Sequence, residues 1–158
     1  GEIGHVRVDF QNKRKCTCGL YDCVEEYASA TGIVKTALEK IAQFQIQTLL
    51  TQEVLTSKYI FECAKKGDIL ALQVVEDMIE KLATALSQIA NTINPEAFVI
   101  GGGVSKAGDF LLDRLQKRFM ELAFFSVRDT KFHLAKLGSD AGMYGCFALI
   151  EEVLGNVG

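Results

Sequence analysis

The chain has 158 residues, enough for one domain with a real hydrophobic core. Apolar residues make up 49% and charged residues 23%, which excludes an intrinsically disordered chain. A formal charge of -3 leaves no basic footprint for nucleic acid, and no apolar run reaches the length of a membrane span, so neither partner is expected.

The first residues, GEIGHVRVDF, lack the charged head, apolar centre and cleavage site of a signal peptide. They open inside what reads as a motif, so a piece of a longer protein is expected. Over residues 3–10, Val6, Val8 and Phe10 alternate with Arg7 and Asp9, the period-2 pattern of a half-buried strand. Residues 11–23 read as loop, with Lys13-Arg14-Lys15 as a solvated turn. A short helix is predicted over 24–30, and Ser29-Ala30-Thr31-Gly32 restarts the chain into a second one reaching about residue 45. Thr56 or Ser57 caps a third, which stops at Lys65-Lys66-Gly67.

The strongest helix spans 68–94. There Leu72, Val75, Met78, Ile79, Leu82, Leu86, Ile89, Ala90 and Ile93 draw one apolar stripe. Asp68 supplies its acidic start and the only proline, Pro95, closes it. A buried strand over 97–100 leads into GGGVSKAGDF and a helix over 109–122. A strand over 130–137 and a last helix, capped by Ser139 or Asp140 and running towards Leu154, complete the chain. Strand, glycine turn, helix, strand, helix is the order of an α/β sheet. No repeat, low-complexity tract or linker divides it.

Three of the five cysteines fall within eight residues. A secreted disulfide framework would spread them and leave none over, and Cys16 and Cys18 are too close to bridge each other easily. A reducing, cytoplasmic setting is therefore expected. Cys63 and Cys146, within apolar helical patterns, read as small core residues. His5, Cys16, Cys18 and Cys23 have the spacing H-x(10)-C-x-C-x(4)-C. Structural zinc commonly takes three thiolates and an imidazole, and Gly19 permits the tight turn after the C-x-C pair. Bound Zn2+ would stabilise a loop with little apolar content, and the basic run would offset part of its charge. The bland alternative is a loop of reduced thiols with His5 as a strand residue.

GEIGH followed by CTCGLYDCVE resembles the signature of the ROK family of repressors and sugar kinases. GGGVSKAG after a buried strand resembles the matching segment of its bacterial glucokinases. The likeness covers nearly the whole chain, 1–158, as the family's C-terminal domain, with the N-terminal domain absent. It implies the actin-like ATPase (ribonuclease H-like) fold, ATP with Mg2+ as co-substrate, glucose as acceptor, and a homodimer.

By the same resemblance, Glu2, His5 and Glu25 contact sugar hydroxyls. A carboxylate can accept paired hydroxyl donors, and an imidazole with one nitrogen on zinc has a fixed tautomer. Without that likeness, Glu2 is a terminal residue and Glu25 or Glu26 an ordinary first-turn helix acid; with it, Glu26 stays an exposed helix residue. The loop from His5 to Cys16 is one residue longer than the family pattern, and Tyr21-Asp22 stands where a glycine is common. Asp22 adds negative charge beside an anionic metal site.

Gly101, Gly102 and Gly103, with Val104 and Ser105, follow a strand and precede a helix. Residues without a Cβ let backbone N–H groups approach a nucleotide. Lys106 stands where a dinucleotide fingerprint needs its third glycine, and there is no Walker A loop. A tight turn explains three glycines equally well; the resemblance makes them part of the adenosine and phosphate site. No catalytic residue is assigned, because the resemblance places the family's base and phosphate loop upstream of Gly1, before GEIGH begins. The leading expectation is a glucokinase, inactive as this chain alone, with a sugar-sensing ROK repressor as the alternative. A purely structural zinc module would leave Glu2, Glu25 and the glycines unexplained.

Overall fold

A computed structural model describes residues 2–44, 46–137 and 140–155. The elements are α1 (Glu25–Ala28), α2 (Ala30–Gln43), α3 (Ser57–Lys65), α4 (Ile69–Ile93), β1 (Ala97–Ile100), α5 (Asp109–Leu122), β2 (Lys131–Leu134) and α6 (Ala141–Gly155). Short 3-10 turns at Ile3–His5, Gln52–Val54, Gly103–Ala107 and Phe125–Val127 link them.

The long helix α4 organises the rest, since α1, α2, α3 and α5 all pack on it. Its caps are the ones its sequence offers. The Asp68 carboxylate accepts the Ala71 N–H at 2.8 Å, and Asn94 takes the left-handed conformation that ends a helix before a proline. Val75, Met78, Ile79, Leu86 and Ala90 are buried as the stripe requires, whereas Ile93 projects into solvent from the last turn.

β1, α5 and β2 form a βαβ unit with the two strands parallel, Phe98 opposite Phe132 and Ile100 opposite Leu134. Phe98, Phe119 and Phe132 meet at centroid distances of 5.1–5.9 Å, which fixes α5 on one face of the pair. Burying such rings contributes roughly 1.5–3 kcal/mol each. β2 is shorter than the predicted 130–137, ending at Leu134.

Two expectations from local pattern are corrected. Residues 3–10 are not a strand: Ile3–His5 is a 3-10 turn, closed by His5 N–H to Glu2 C=O at 3.1 Å. A strand needs a continuous partner, and this segment finds one only around Cys23. There Val24 N–H donates to Val6 C=O, and Val8 N–H to Asp22 C=O. The alternation still reports the inward face as far as Val8, which is buried, while Phe10 is exposed. In α6 the apolar pattern does yield a helix, but none of its residues is buried, so Cys146 is exposed and not a core residue. Ser139, one of its two expected caps, lies outside the described residues. Among these residues no helix is long and apolar enough to cross a membrane.

Candidate functional site

Residues 5–23 fold back on themselves around one cluster of side chains. Antiparallel bridges pair Arg7 with Cys23 and Lys15 with Tyr21, and Gly19, at φ +90°, makes the turn between Cys18 and Leu20. This brings His5, Cys16, Cys18 and Cys23 together, with their ligand atoms all within 4.8 Å of one another. Cys16 Sγ lies 3.5 Å from His5 Nδ1, and Cys18 Sγ lies 3.6 Å from Cys23 Sγ. Ligand atoms 2.0–2.3 Å from a tetrahedral zinc are about 3.5–3.8 Å apart, so the donor set and its spacing fit that ion. Cys63 is buried in the core, away from this cluster.

The electrostatics suit a cation. The Cys16 thiol is lowered to about 7, chiefly by the Cys18 backbone N–H. Burial, followed by the neighbouring sulfurs, pushes Cys23 up to about 12. Cys16 and Cys23 therefore ionise together near neutral pH only where positive charge is placed between them.

The basic run contributes less than its charge suggests. Arg14 is not a solvated turn residue. Its guanidinium lies 4.4 Å over the Tyr27 ring and donates to Glu26 C=O (2.6 Å), Thr36 Oγ1 (2.9 Å) and Glu39 Oε2 (2.6 Å). It ties the loop to α1 and α2.

Immediately after Cys23, Val24 turns the chain into α1, whose first residue is Glu25. Glu25 Oε2 sits 3.7 Å from His5 Nδ1, and a Cβ added at Gly4 would lie 3.8 Å from Glu25 Cβ. The GEIGH turn and the head of α1 are thus in contact. Glu25 remains half exposed, at 47% of its side chain, free to meet a ligand. Glu2 is exposed at the start of the 3-10 turn. Gly1, the position upstream of which the catalytic base is expected, lies outside the described residues. Glu26 is the buried acid of the pair, held by Lys35 Nζ at 2.5 Å, contrary to the expectation that it would be exposed. A four-residue helix gives no periodicity from which to tell the two apart.

Two further residues have roles that their sequence context does not show: Gly32 reads as part of a helix restart, and Asp22 as added charge at the metal site. Gly32 admits no side chain, because a Cβ would lie 2.7 Å from the backbone carbon and oxygen of Glu26. That contact sets how α2 leaves α1. Asp22 is fully buried at φ +57°, and its carboxylate is turned away from solvent towards the loop's own N–H groups. Burial alone would raise its pKa, but hydrogen bonds, led by the Arg14 N–H and the Tyr27 hydroxyl, hold it below the usual carboxylate range.

The glycine segment lies beside the same junction. Gly102 takes φ +73°, a 3-10 turn covers Gly103–Ala107, and Ser105 Oγ donates to Gly102 C=O at 2.8 Å. A Cβ on Gly103 would lie 4.0 Å from that of Ala30, the first residue of α2. Gly101, Gly102 and Gly103 are exposed, and Val104 and Ser105 are half-buried. The metal cluster and Glu25 at one end of α1, and the glycines at the start of α2, are therefore neighbours through a single helical junction.

The ROK family model matches residues 1–153 of this chain. A glucokinase of Halalkalibacterium halodurans is 41% identical over 157 residues, covering 96% of this chain and 48% of the relative. The transcriptional repressor Mlc of Escherichia coli is 29% identical, covering 98% and 38%. A crystal structure of a ROK glucokinase from Streptomyces griseus, solved with glucose and AMPPNP, superposes with a TM-score of 0.80 at 29% identity, covering 94% of this chain and 50% of that one. The chain spans about half the length of the glucokinases it matches.

Proposed function

The chain belongs to the ROK family, and within it we propose that these residues are the C-terminal half of an ATP-dependent glucokinase with the actin-like ATPase fold. The observation that carries this reading is the convergence of Gly4, His5 and Glu25 beside a four-ligand metal cluster, one helical junction from an exposed glycine turn. A kinase needs a sugar site and a nucleotide site that face each other. A sensor needs only the first.

Zinc held by His5 Nδ1, Cys16, Cys18 and Cys23 would supply cross-linking and charge to a loop that buries little apolar surface. With that nitrogen committed, the imidazole keeps one tautomer and offers its other nitrogen to a sugar hydroxyl. Glu25 and Glu2 would accept hydrogen bonds from neighbouring hydroxyls and so orient the ring. Gly101, Gly102, Gly103, Val104 and Ser105 would line the ATP site, where backbone N–H groups can approach phosphate without a Cβ between. The acceptor hydroxyl's proton and the metal-bound phosphates belong to residues outside this chain, upstream of Gly1. Free thiols suit a reducing, cytoplasmic setting, and a homodimer is part of the same proposal by family resemblance alone.

The ROK repressors are the second reading, favoured by the likeness to Mlc. A chimera separates the two: this chain joined to the half of the Halalkalibacterium halodurans glucokinase that it does not span. We expect glucose-dependent ADP formation by the chimera and none by the 158 residues alone. A folded chimera that binds glucose but never turns over ATP would favour the sensor. Turnover by the isolated chain would overturn the division of the active site.

A further inference from the structure

We infer that Asp22 is the positioning residue of the metal loop: its backbone links the segments that carry His5, Cys16 and Cys23, and its buried carboxylate locks the Lys13-Arg14 approach to Cys16 onto the Cys23 segment and α1. The inference rests on the metal reading above.

Asp22 joins these segments through both backbone and side chain. Its N–H donates to Arg14 C=O at 2.8 Å, two residues before Cys16. Its C=O accepts the Val8 N–H at 2.9 Å, three residues after His5. Cys23 is the next residue. The carboxylate then closes the arrangement. Oδ1 accepts the Arg14 N–H at 2.8 Å, the Lys13 N–H at 3.1 Å and the Tyr27 hydroxyl at 2.8 Å, and Oδ2 lies 3.2 Å from the Lys13 nitrogen. Tyr27 stands on α1 two residues beyond Glu25, so one side chain fixes the approach to Cys16 and the helix that presents the candidate sugar ligand.

The backbone favours the same conclusion. At φ +57° a residue other than glycine, asparagine or aspartate is strained, and glycine would fit without steric strain. An aspartate here accepts the left-handed conformation and full burial, and in return satisfies two backbone donors that would otherwise be left unpaired in the turn. Outer groups that orient ligands commonly change metal affinity by about 10–100-fold when removed. None of the carboxylate's partners is a metal ligand, so the effect travels through the backbone of residues 12–16 and 22–23.

Asp22→Gly and Asp22→Asn test this together in the 158-residue chain. Glycine keeps the φ and removes the carboxylate; asparagine keeps the Oδ1 acceptor. Zinc release to a chromogenic chelator should be about tenfold faster in Asp22→Gly and intermediate in Asp22→Asn. The cooperative melting of the helical core should stay near that of the parent. Amide hydrogen exchange at Lys13 and Arg14 should accelerate in the same order. Zinc stoichiometry of the parent chain tests the metal reading separately, and if the parent binds none, amide exchange alone decides the role of Asp22. Parent-like release and exchange in Asp22→Gly would overturn the inference. So would a core melting loss that fully accounts for the faster release.

Discussion

Two fully buried cysteines give the account its clearest internal control. Cys23 and Cys63 are equally inaccessible, but Cys23 Sγ lies 3.6 Å from a second thiol, whereas Cys63 is packed among apolar residues of α3 and α4. Structural zinc contributes on the order of 12 kcal/mol in small zinc-binding folds, or about 3 kcal/mol for each of four ligands. Serine at position 23 preserves volume but is a poor zinc ligand, so zinc should bind about 100-fold more weakly. Serine at position 63 replaces a buried sulfur of the core, near the Tyr59 hydroxyl, with a smaller and more polar group, which costs about 1–3 kcal/mol of folding stability and nothing in zinc affinity. Competition against a fluorescent zinc chelator gives the affinities, and urea unfolding followed by far-UV circular dichroism gives the stabilities. Parent-like zinc binding by Cys23→Ser, or loss of zinc from Cys63→Ser, would refute the metal assignment.

Gly32→Ala pits helix propensity against space. Alanine gains about 1 kcal/mol within a helix, but its Cβ would press on Glu26 backbone atoms at 2.7 Å, so a net loss of about 1–3 kcal/mol is expected in a thermal melt, and a stabilised variant would refute the contact. Zinc retention should fall in acid. Because Cys23 sits well above the ordinary thiol range without metal, binding must displace its proton, and affinity should weaken about tenfold for each proton displaced per pH unit between about pH 8 and 6. A flat affinity over that range, read by the same competition assay, would exclude a thiolate site.

What can be read from the sequence depends on how local the cause is. The span of α4 is legible because its stripe runs through 25 residues and its ends carry their own signals, Asp68 and Asn94-Pro95. The metal cluster is legible because three of its ligands lie within eight residues. Arg14 reads as solvated because its partners, Thr36 and Glu39, are 22 and 25 positions away. Residues 3–10 alternate like a strand, but alternation reports which side faces inward and cannot supply a pairing partner. Asp22 reads as added charge at the metal site; burial and the loop's own N–H groups, visible only in three dimensions, make it an internal brace. Cys146 obeys an apolar helical pattern in a helix with no buried residues.

Glucose affinity of the chimera, measured by calorimetry before and after Glu25→Gln, tests most directly whether the metal loop builds a sugar site. A carboxylate that accepts hydroxyl hydrogen bonds is worth roughly 1.5–3 kcal/mol, so the variant should bind glucose about tenfold to a hundredfold more weakly. Its zinc content and its affinity for an ATP analogue should match the parent, since neither site uses this side chain. Unchanged glucose affinity with a lowered melting temperature would reduce Glu25 to a helix-terminal acid and contradict the account.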